Sequence, residues 1–193
     1  MQITNQDIFE INRILNNFKQ KKSKEDIFYN VCFCILIPQS KFKTVLKTVE
    51  WLKFFSFYTN DFTLEMLTDD ANFKARFKQR KAIYLLQMKH NFDTIYNILI
   101  SRMKPDDKRK WVKDNIKGLG WKTSSHLLRN LGYQNFAILD THILKFMNKT
   151  KFDYLETEQE FRKLAKAQNL TPAQFDGIIW MKQAKVNEQQ FIF

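Results

Sequence analysis

The chain is short of glycine, proline and cysteine, with four, three and two residues among 193. Two cysteines exclude an iron–sulfur cluster of the four-cysteine type. Cys32 and Cys34 lie two apart in an apolar run, which turns them to different faces of a helix, so both read as reduced core residues and not as a bridge. With three histidines, no His/Cys/carboxylate group has the spacing of a zinc site. No apolar run reaches the length of a transmembrane helix; the longest, residues 31–37, fits a buried core helix. The first residues, Met1-Gln2-Ile3-Thr4-Asn5-Gln6, show no basic region followed by an apolar stretch, so no signal peptide is expected and the expected compartment is the cytoplasm. Repeats, low-complexity tracts and flexible linkers do not stand out.

What is present is apolar and basic. A hydrophobic fraction of 44% with nineteen Phe belongs to a globular chain, long enough for a core as one domain or two small lobes. The net charge of +12 and pI near 9.6 call for a polyanionic partner, nucleic acid first. Biased codon usage would also enrich Lys, Asn, Ile and Phe, so charge alone leaves both readings open.

The hydrophobic pattern is helical almost throughout and predicts an all-α fold. Residues 5–20 carry Ile8, Ile11, Ile14, Leu15 and Phe18 as one stripe. Residues 25–37 are apolar on nearly all sides and predict a central buried helix ended by Pro38. Further helices are expected at 42–55, 63–67, 73–90, 93–103, 106–116, 122–131, 140–148, 157–167 and 172–184, the last with Pro172 at its start. Gly132 is placed to end a helix as a left-handed cap, and Asp140 to begin one as an N-cap.

Three of the four glycines fall within fifteen residues, Gly118, Gly120 and Gly132. Gly118-Leu119-Gly120 between two helical stretches is the pattern of a helix-hairpin-helix, spanning about residues 106–132. Such a turn points backbone N–H groups outward at the start of its second helix, where they and the helix dipole suit one phosphate. Glycine serves close approach and unusual dihedrals; the contact reads the DNA backbone and not its sequence. An ordinary αα-corner has the same bare Gly-x-Gly.

Lys122 stands at the start of that second helix, beside the positive end of its dipole, which disfavours the charged amine. Partly buried, it would be an amine nucleophile of the Schiff-base kind; a surface lysine on a phosphate is the plainer reading. Asp140 follows the apolar Phe136-Ala137-Ile138-Leu139. An N-cap accounts for it; a carboxylate that stabilises an oxocarbenium ion or moves a proton is the functional reading, and one oxygen can cap while the other faces a substrate. His142 suits a phosphate contact better than a metal. His90 and His126 carry no role beyond packing or surface. Asp176 and Trp180, four apart, share a helix face that would set a carboxylate beside a large ring, fit to bind and stack a purine; an amphipathic helix with Trp180 in the core has the same pattern.

The segment from Gly118-Leu119-Gly120-Trp121-Lys122-Thr123-Ser124-Ser125-His126-Leu127-Leu128-Arg129-Asn130-Leu131 to Gly132, with Ala137-Ile138-Leu139-Asp140-Thr141-His142-Ile143, resembles the helix-hairpin-helix DNA glycosylase superfamily. Within it, the match is to the short 8-oxoguanine DNA glycosylase/lyases of archaea and some bacteria, and Cys34-Ile35-Leu36-Ile37-Pro38-Gln39-Ser40-Lys41 is similar to that family's central helix and exit loop. The resemblance covers most of residues 8–184. It implies a two-lobed helical enzyme of base-excision repair acting on double-stranded DNA containing oxidised guanine, with the damaged nucleotide flipped into a pocket between the lobes. Lys122 would attack the sugar C1′, displace the base, and through a Schiff base permit β-elimination. Asp140 would stabilise the developing charge and help activate Lys122.

The resemblance further implies DNA contacts at Gly118, Gly120, His142, Gln39 and Ser40, and a base pocket at Asp176 and Trp180. It implies no required cofactor and no side-chain metal site, but a structural K+ or Na+ on the backbone carbonyls of Asp114, Ile116 and Leu119. A monomer without membrane contact, reaching the nucleoid through DNA, is expected. The chain end, Asn187-Glu188-Gln189-Gln190-Phe191-Ile192-Phe193, is longer and more apolar beyond Trp180 than in that subgroup. A related glycosylase for another damaged base, and a non-catalytic helix-hairpin-helix DNA-binding protein, are the competing readings; the latter has no need of Lys122 and Asp140 together.

Overall fold

A computed structural model describes residues 1–184; the apolar tail at 187–193 lies outside the described residues. Those residues form eleven α-helices and no strand, as the hydrophobic periodicity predicts. The chain forms two compact units, one of residues 22–127 and one of residues 1–21 with the chain from Leu128 onward. No helix among the described residues is long and apolar enough to cross a membrane.

In the unit of residues 22–127, α2 (Lys24–Leu36) is central. It starts at a capping box, with Ser23 and Asp26 each accepting from the other's backbone amide. Every residue from Ile27 to Leu36 is buried, so Cys32 and Cys34 are both enclosed and form no disulfide, and burial pushes the Cys32 thiol up. On α2 pack α3 (Phe42–Phe54), α5 (Lys78–His90) and α6 (Phe92–Ile100), while α4 (Leu64–Asp69) packs on α5 and α7 (Pro105–Asn115) on α6. Phe28 meets Tyr29, Phe57, Tyr58 and Phe92 at centroid distances of 4.9–5.6 Å. The Tyr29 hydroxyl donates to Leu52 O and accepts from the Tyr58 amide, and burial lifts it to about 12.

In the other unit, α1 (Asn5–Phe18) buries Ile11, Ile14, Leu15 and Phe18, while Ile8 is half-covered. It packs on α11 (Pro172–Ala184), joined by an Asn12–Gln174 hydrogen bond of 2.6 Å and a Lys182–Asp7 ion pair of 2.8 Å. α9 (Thr141–Phe146) and α10 (Tyr154–Ala167) complete the core with Ile143, Phe161 and Ala165. α8 (Trp121–Asn130) contains the division between the units.

Several expected boundaries move. The helix expected over 73–90 begins only at Lys78. Residues 71–77 are irregular because Thr48, from α3, accepts the Lys74 amide (3.2 Å) and donates to Lys74 O (3.1 Å), and Phe77 takes a left-handed φ of 58°. The helix expected to run to 103 stops at Ile100, where the buried Lys108 ammonium takes the Leu99 and Ser101 carbonyls at 2.7 and 2.8 Å. The helix expected over 140–148 closes at Phe146, with Asn148 left-handed at φ 55°. α10 starts three residues before its expected start at 157, because Asp153 caps it through the Glu156 amide.

Gly132 ends α8 as expected, with φ +92° and its amide on Arg129 O at 2.9 Å. A Cβ there would stand 3.1 Å from Lys19 Cα and 3.3 Å from Phe18 O, both backbone atoms. Gly132→Ala is expected to lose about 1–2 kcal/mol from the left-handed backbone alone, with more from the clash. Urea unfolding checks this; an unchanged midpoint would contradict it.

Candidate active site

The hairpin is built from α7, a five-residue turn and α8. Ile116 leaves helical geometry at φ −104°, ψ 108° and ends α7. Gly118 then takes φ +89°, with a would-be Cβ 2.8 Å from the Tyr84 ring. Gly120 has no positive φ, and a Cβ on it would meet nothing within 4 Å. The two glycines therefore answer different needs: Gly118 the turn's dihedral and its packing, Gly120 an open outer surface. Thr123 brackets Gly120, accepting from its amide (2.9 Å) and donating to its carbonyl (3.2 Å). The first helical bond of α8 runs from the Ser124 amide to Gly120 O at 2.9 Å, so the amides of Trp121, Lys122 and Thr123 precede the ladder. That is the donor array an oxyanion needs.

The pose of α8 on α7 is fixed by residues that sequence reading passed over. Arg109 and Lys113, one turn apart on α7, stand over the Trp121 ring at 5.3 and 5.2 Å. Arg109 also donates to the Ser125 hydroxyl (3.1 Å), which donates to Trp121 O (2.9 Å). Lys122, the second residue of α8, is exposed. The partial burial that would prepare its amine in advance is not present. His126 lies edge-on to Phe33 at 5.6 Å and His90 is exposed, in keeping with packing and surface roles.

Asp140 caps α9 as expected. The His142 and Ile143 amides both donate to its Oδ1, at 2.9 and 3.0 Å, so Oδ2 stands outside the cap. The extended segment before it has no strand partner, and side chains of α10 and α11 satisfy its backbone instead. Glu158 accepts the Ala137 amide (3.3 Å), and Tyr154 OH donates to Ala137 O (3.1 Å). Asp176 Oδ2 accepts the Ile138 amide at 2.6 Å while its Oδ1 pairs with Arg129 at 2.8 Å. Asp176 is 2% exposed. Burial pushes its carboxyl up to about 7, with the nearby Asp140 charge adding to the push and Arg129 and the Ile138 amide opposing it.

Asp176 thus has one oxygen on the segment that ends in Asp140 and the other on Arg129, instead of standing open toward a ligand. Trp180 is half-buried against the core of its unit. His142 is half-buried. In the other unit Gln39 is exposed at φ 56°, in the turn after α2, and Ser40 is half-buried beside it. Arg129, Glu158 and Tyr154 left no local signal, because their partners lie 17 to 47 residues away in the chain.

Gly120→Ala is expected to leave stability within about 0.5 kcal/mol and to weaken duplex binding, since its methyl enters only the space a phosphate would use. Gly118→Ala is expected to lower stability through φ and the Tyr84 contact. Urea unfolding and a duplex titration at one salt concentration check both; a Gly120→Ala chain that unfolds early but binds normally would contradict the division.

The sequence pattern of the 8-oxoguanine DNA glycosylase family matches residues 11–170. The 8-oxoguanine DNA glycosylase/AP lyase of Thermoplasma volcanium is 31% identical over 88% of this chain and 87% of its own, and that of Picrophilus torridus 32% over 86% and 84%. The crystal structure of Methanocaldococcus jannaschii 8-oxoguanine DNA glycosylase superposes with a TM-score of 0.80 at 29% identity, covering 91% of this chain and 87% of that one. The same organism's 8-oxoguanine glycosylase/lyase in complex with a 15mer DNA containing 8-oxoguanine matches with a TM-score of 0.80 at 28% identity, over 91% and 90%. With an all-helical fold, a helix-hairpin-helix carrying Lys122, and Asp140 at the cap of the helix that follows, the chain belongs to the 8-oxoguanine DNA glycosylase family.

Proposed function

We propose that this chain removes 8-oxoguanine from duplex DNA and cleaves the strand at the resulting abasic site. The observation that carries the reading is Lys122 in the first turn of α8, immediately after an outward Gly118–Gly120 turn with three amides ahead of the helical ladder. A phosphate held on those amides would set the neighbouring sugar beside the lysine. The exposed lysine then loses its water to the docked duplex and not to the protein core.

The chemistry requires a neutral amine. Lys122 gives up a proton, its nitrogen bonds to C1′, and the bond from C1′ to the base breaks, with the base leaving on the former bonding pair. Ring opening yields a protonated imine between Lys122 and C1′. Loss of a C2′ proton then expels the 3′ phosphate, and water hydrolyses the imine to free the lysine. Asp140 supplies the carboxylate that this sequence needs, to take the lysine's proton and to offset positive charge on the sugar. Its Oδ2, outside the cap, is the atom suited to that. His142 and the Gln39–Ser40 turn are proposed as further DNA contacts. Trp180 is proposed to stack on the extruded base, with Asp176 holding the frame beneath it.

The Asp114, Ile116 and Leu119 carbonyls are proposed to hold K+ or Na+. The last turn of α7 leaves carbonyls that no helical amide reaches, at the negative end of the dipole, and Ile116 O has only the Leu119 amide at 3.2 Å. Neutral oxygens of this kind fit an alkali cation, which would stiffen the turn.

Lys122→Gln is expected to abolish strand cleavage at 8-oxoguanine while duplex affinity stays within about threefold, because the phosphate-binding amides remain. Asp140→Asn keeps an equally good cap and is expected to lower the single-turnover rate by about 10²-fold or more with little change in melting temperature. Wild-type cleavage by Lys122→Gln would refute the nucleophile assignment.

A further inference from the structure

Lys81, on α5, is 5% exposed. It has no carboxylate partner among the described residues. Its ammonium donates to three neutral oxygens, Leu36 O at 2.6 Å, Pro38 O at 2.7 Å and Ser40 Oγ at 3.0 Å, which uses all its protons. Burial pulls it down to about 8. An ammonium enclosed without a counter-ion lowers stability relative to an apolar side chain of that length, so its retention points to what it holds.

It holds a turn. Leu36 and Pro38 offer carbonyls at the end of α2, where the helix dipole favours a cation. Between Pro38 and Ser40 stands Gln39, exposed and left-handed at φ 56°, a conformation a non-glycine residue keeps only when its surroundings impose it. The Ser40 hydroxyl is shared: it accepts from Lys81 and from the Arg76 amide at 3.2 Å. One buried ammonium therefore ties the turn after α2 to the irregular segment 71–77. Both pieces of chain line an open cleft of about 480 Å³, whose walls include Gln39, Ser40, Lys41, Lys74, Arg76 and Lys78. Four cations on its walls suit a polyanion.

We propose that Lys81 is a positioning residue for excision: it pre-forms the Gln39–Ser40 turn and, through Ser40, the basic cleft, so that DNA meets a surface already shaped. The inference rests on the functional reading above. It acts through neighbours and needs no contact between Lys81 and DNA. Lys89, on the same helix, is a built-in comparison. Its ammonium takes the Phe57 and Tyr58 carbonyls at 2.6 and 2.9 Å, and that turn lines no part of the cleft.

The test compares Lys81→Met, Lys89→Met, Gln39→Ala and the Lys81→Met/Gln39→Ala double variant. Each is measured for thermal midpoint, single-turnover release of 8-oxoguanine from a duplex, and borohydride trapping on a duplex with a pre-formed abasic site. Lys81→Met is expected to slow base release at least about tenfold, since small misplacements have large kinetic effects, while trapping on the abasic site stays within about threefold. Lys89→Met is expected to release the base within about threefold of wild type, whatever the change in its thermal midpoint. The double variant is expected to be about as slow as the slower single one, because coupled residues are not additive.

Base release by Lys81→Met at the Lys89→Met rate, or losses from Lys81 and Gln39 that multiply, would overturn the proposal. Should Lys81→Met not fold, Ser40→Ala decides with the same measurements, and an undiminished release rate would overturn it. A wild-type chain that neither releases the base nor traps would refute the enzymatic reading. Affinity for undamaged duplex, Lys81→Met against Lys89→Met, would then judge the turn by itself, equal affinities counting against it.

Discussion

A helix leaves its last carbonyls without amide partners, and this chain must end eleven helices among its described residues with four glycines. The usual left-handed glycine cap is therefore scarce, and two substitutes appear. Four non-glycine residues just past helix ends take positive φ: Gln39, Ser56, Asn148 and Asn169. Two lysines, Lys81 and Lys108, bring their ammonium groups to pairs of carbonyls at the ends of α2 and α6 at 2.6–2.8 Å, and Lys89 takes the Phe57 and Tyr58 carbonyls of the turn after α3 at 2.6 and 2.9 Å. Part of the lysine excess is thus structural. The net charge of +12 overstates the charge available to a polyanion, since these three side chains face carbonyls.

Against that background the glycines that remain have definite positions. Gly132 passes within 3.1 Å of the Lys19 backbone, and Gly118 packs under Tyr84 at a φ no side chain tolerates well. Gly120 alone faces open space. A glycine retained where nothing in the protein crowds it is better explained by a ligand than by the fold. The two proposed catalytic residues are held in different ways. Lys122 inherits its place from a helix start fixed by the Arg109, Lys113 and Trp121 stack. Asp140 ends an extended segment whose backbone polar groups are met one after another by Glu158, Tyr154 and Asp176. The Asp176–Arg129 pair, 3% and 11% exposed at its side chains, keeps a charge buried in order to hold that backbone.

Much of this is legible in the amino-acid order. The all-helical fold, the enclosed α2, the left-handed cap at Gly132 and the N-cap at Asp140 all follow from local rules of periodicity and capping. What local rules miss is long-range. The irregular stretch ahead of Lys78 looks helical by composition, but Thr48, 26 residues back, captures Lys74. Asp176 looks like a ligand-facing carboxylate by its spacing from Trp180, yet its partners sit on α8 and before α9. Lys81 reads as one more basic surface residue until its three acceptors are seen together. In each case the deciding partner lies far along the chain, where spacing carries no information.

The central claim is that Lys122 is the nucleophile on DNA damaged at guanine. The most direct measurement is borohydride reduction of the unmodified protein on a duplex containing 8-oxoguanine, with an undamaged duplex alongside, followed by mass mapping of the DNA-linked peptide. The account predicts an adduct only on the damaged duplex, attached at Lys122. An adduct on another lysine, or none on 8-oxoguanine, would contradict it.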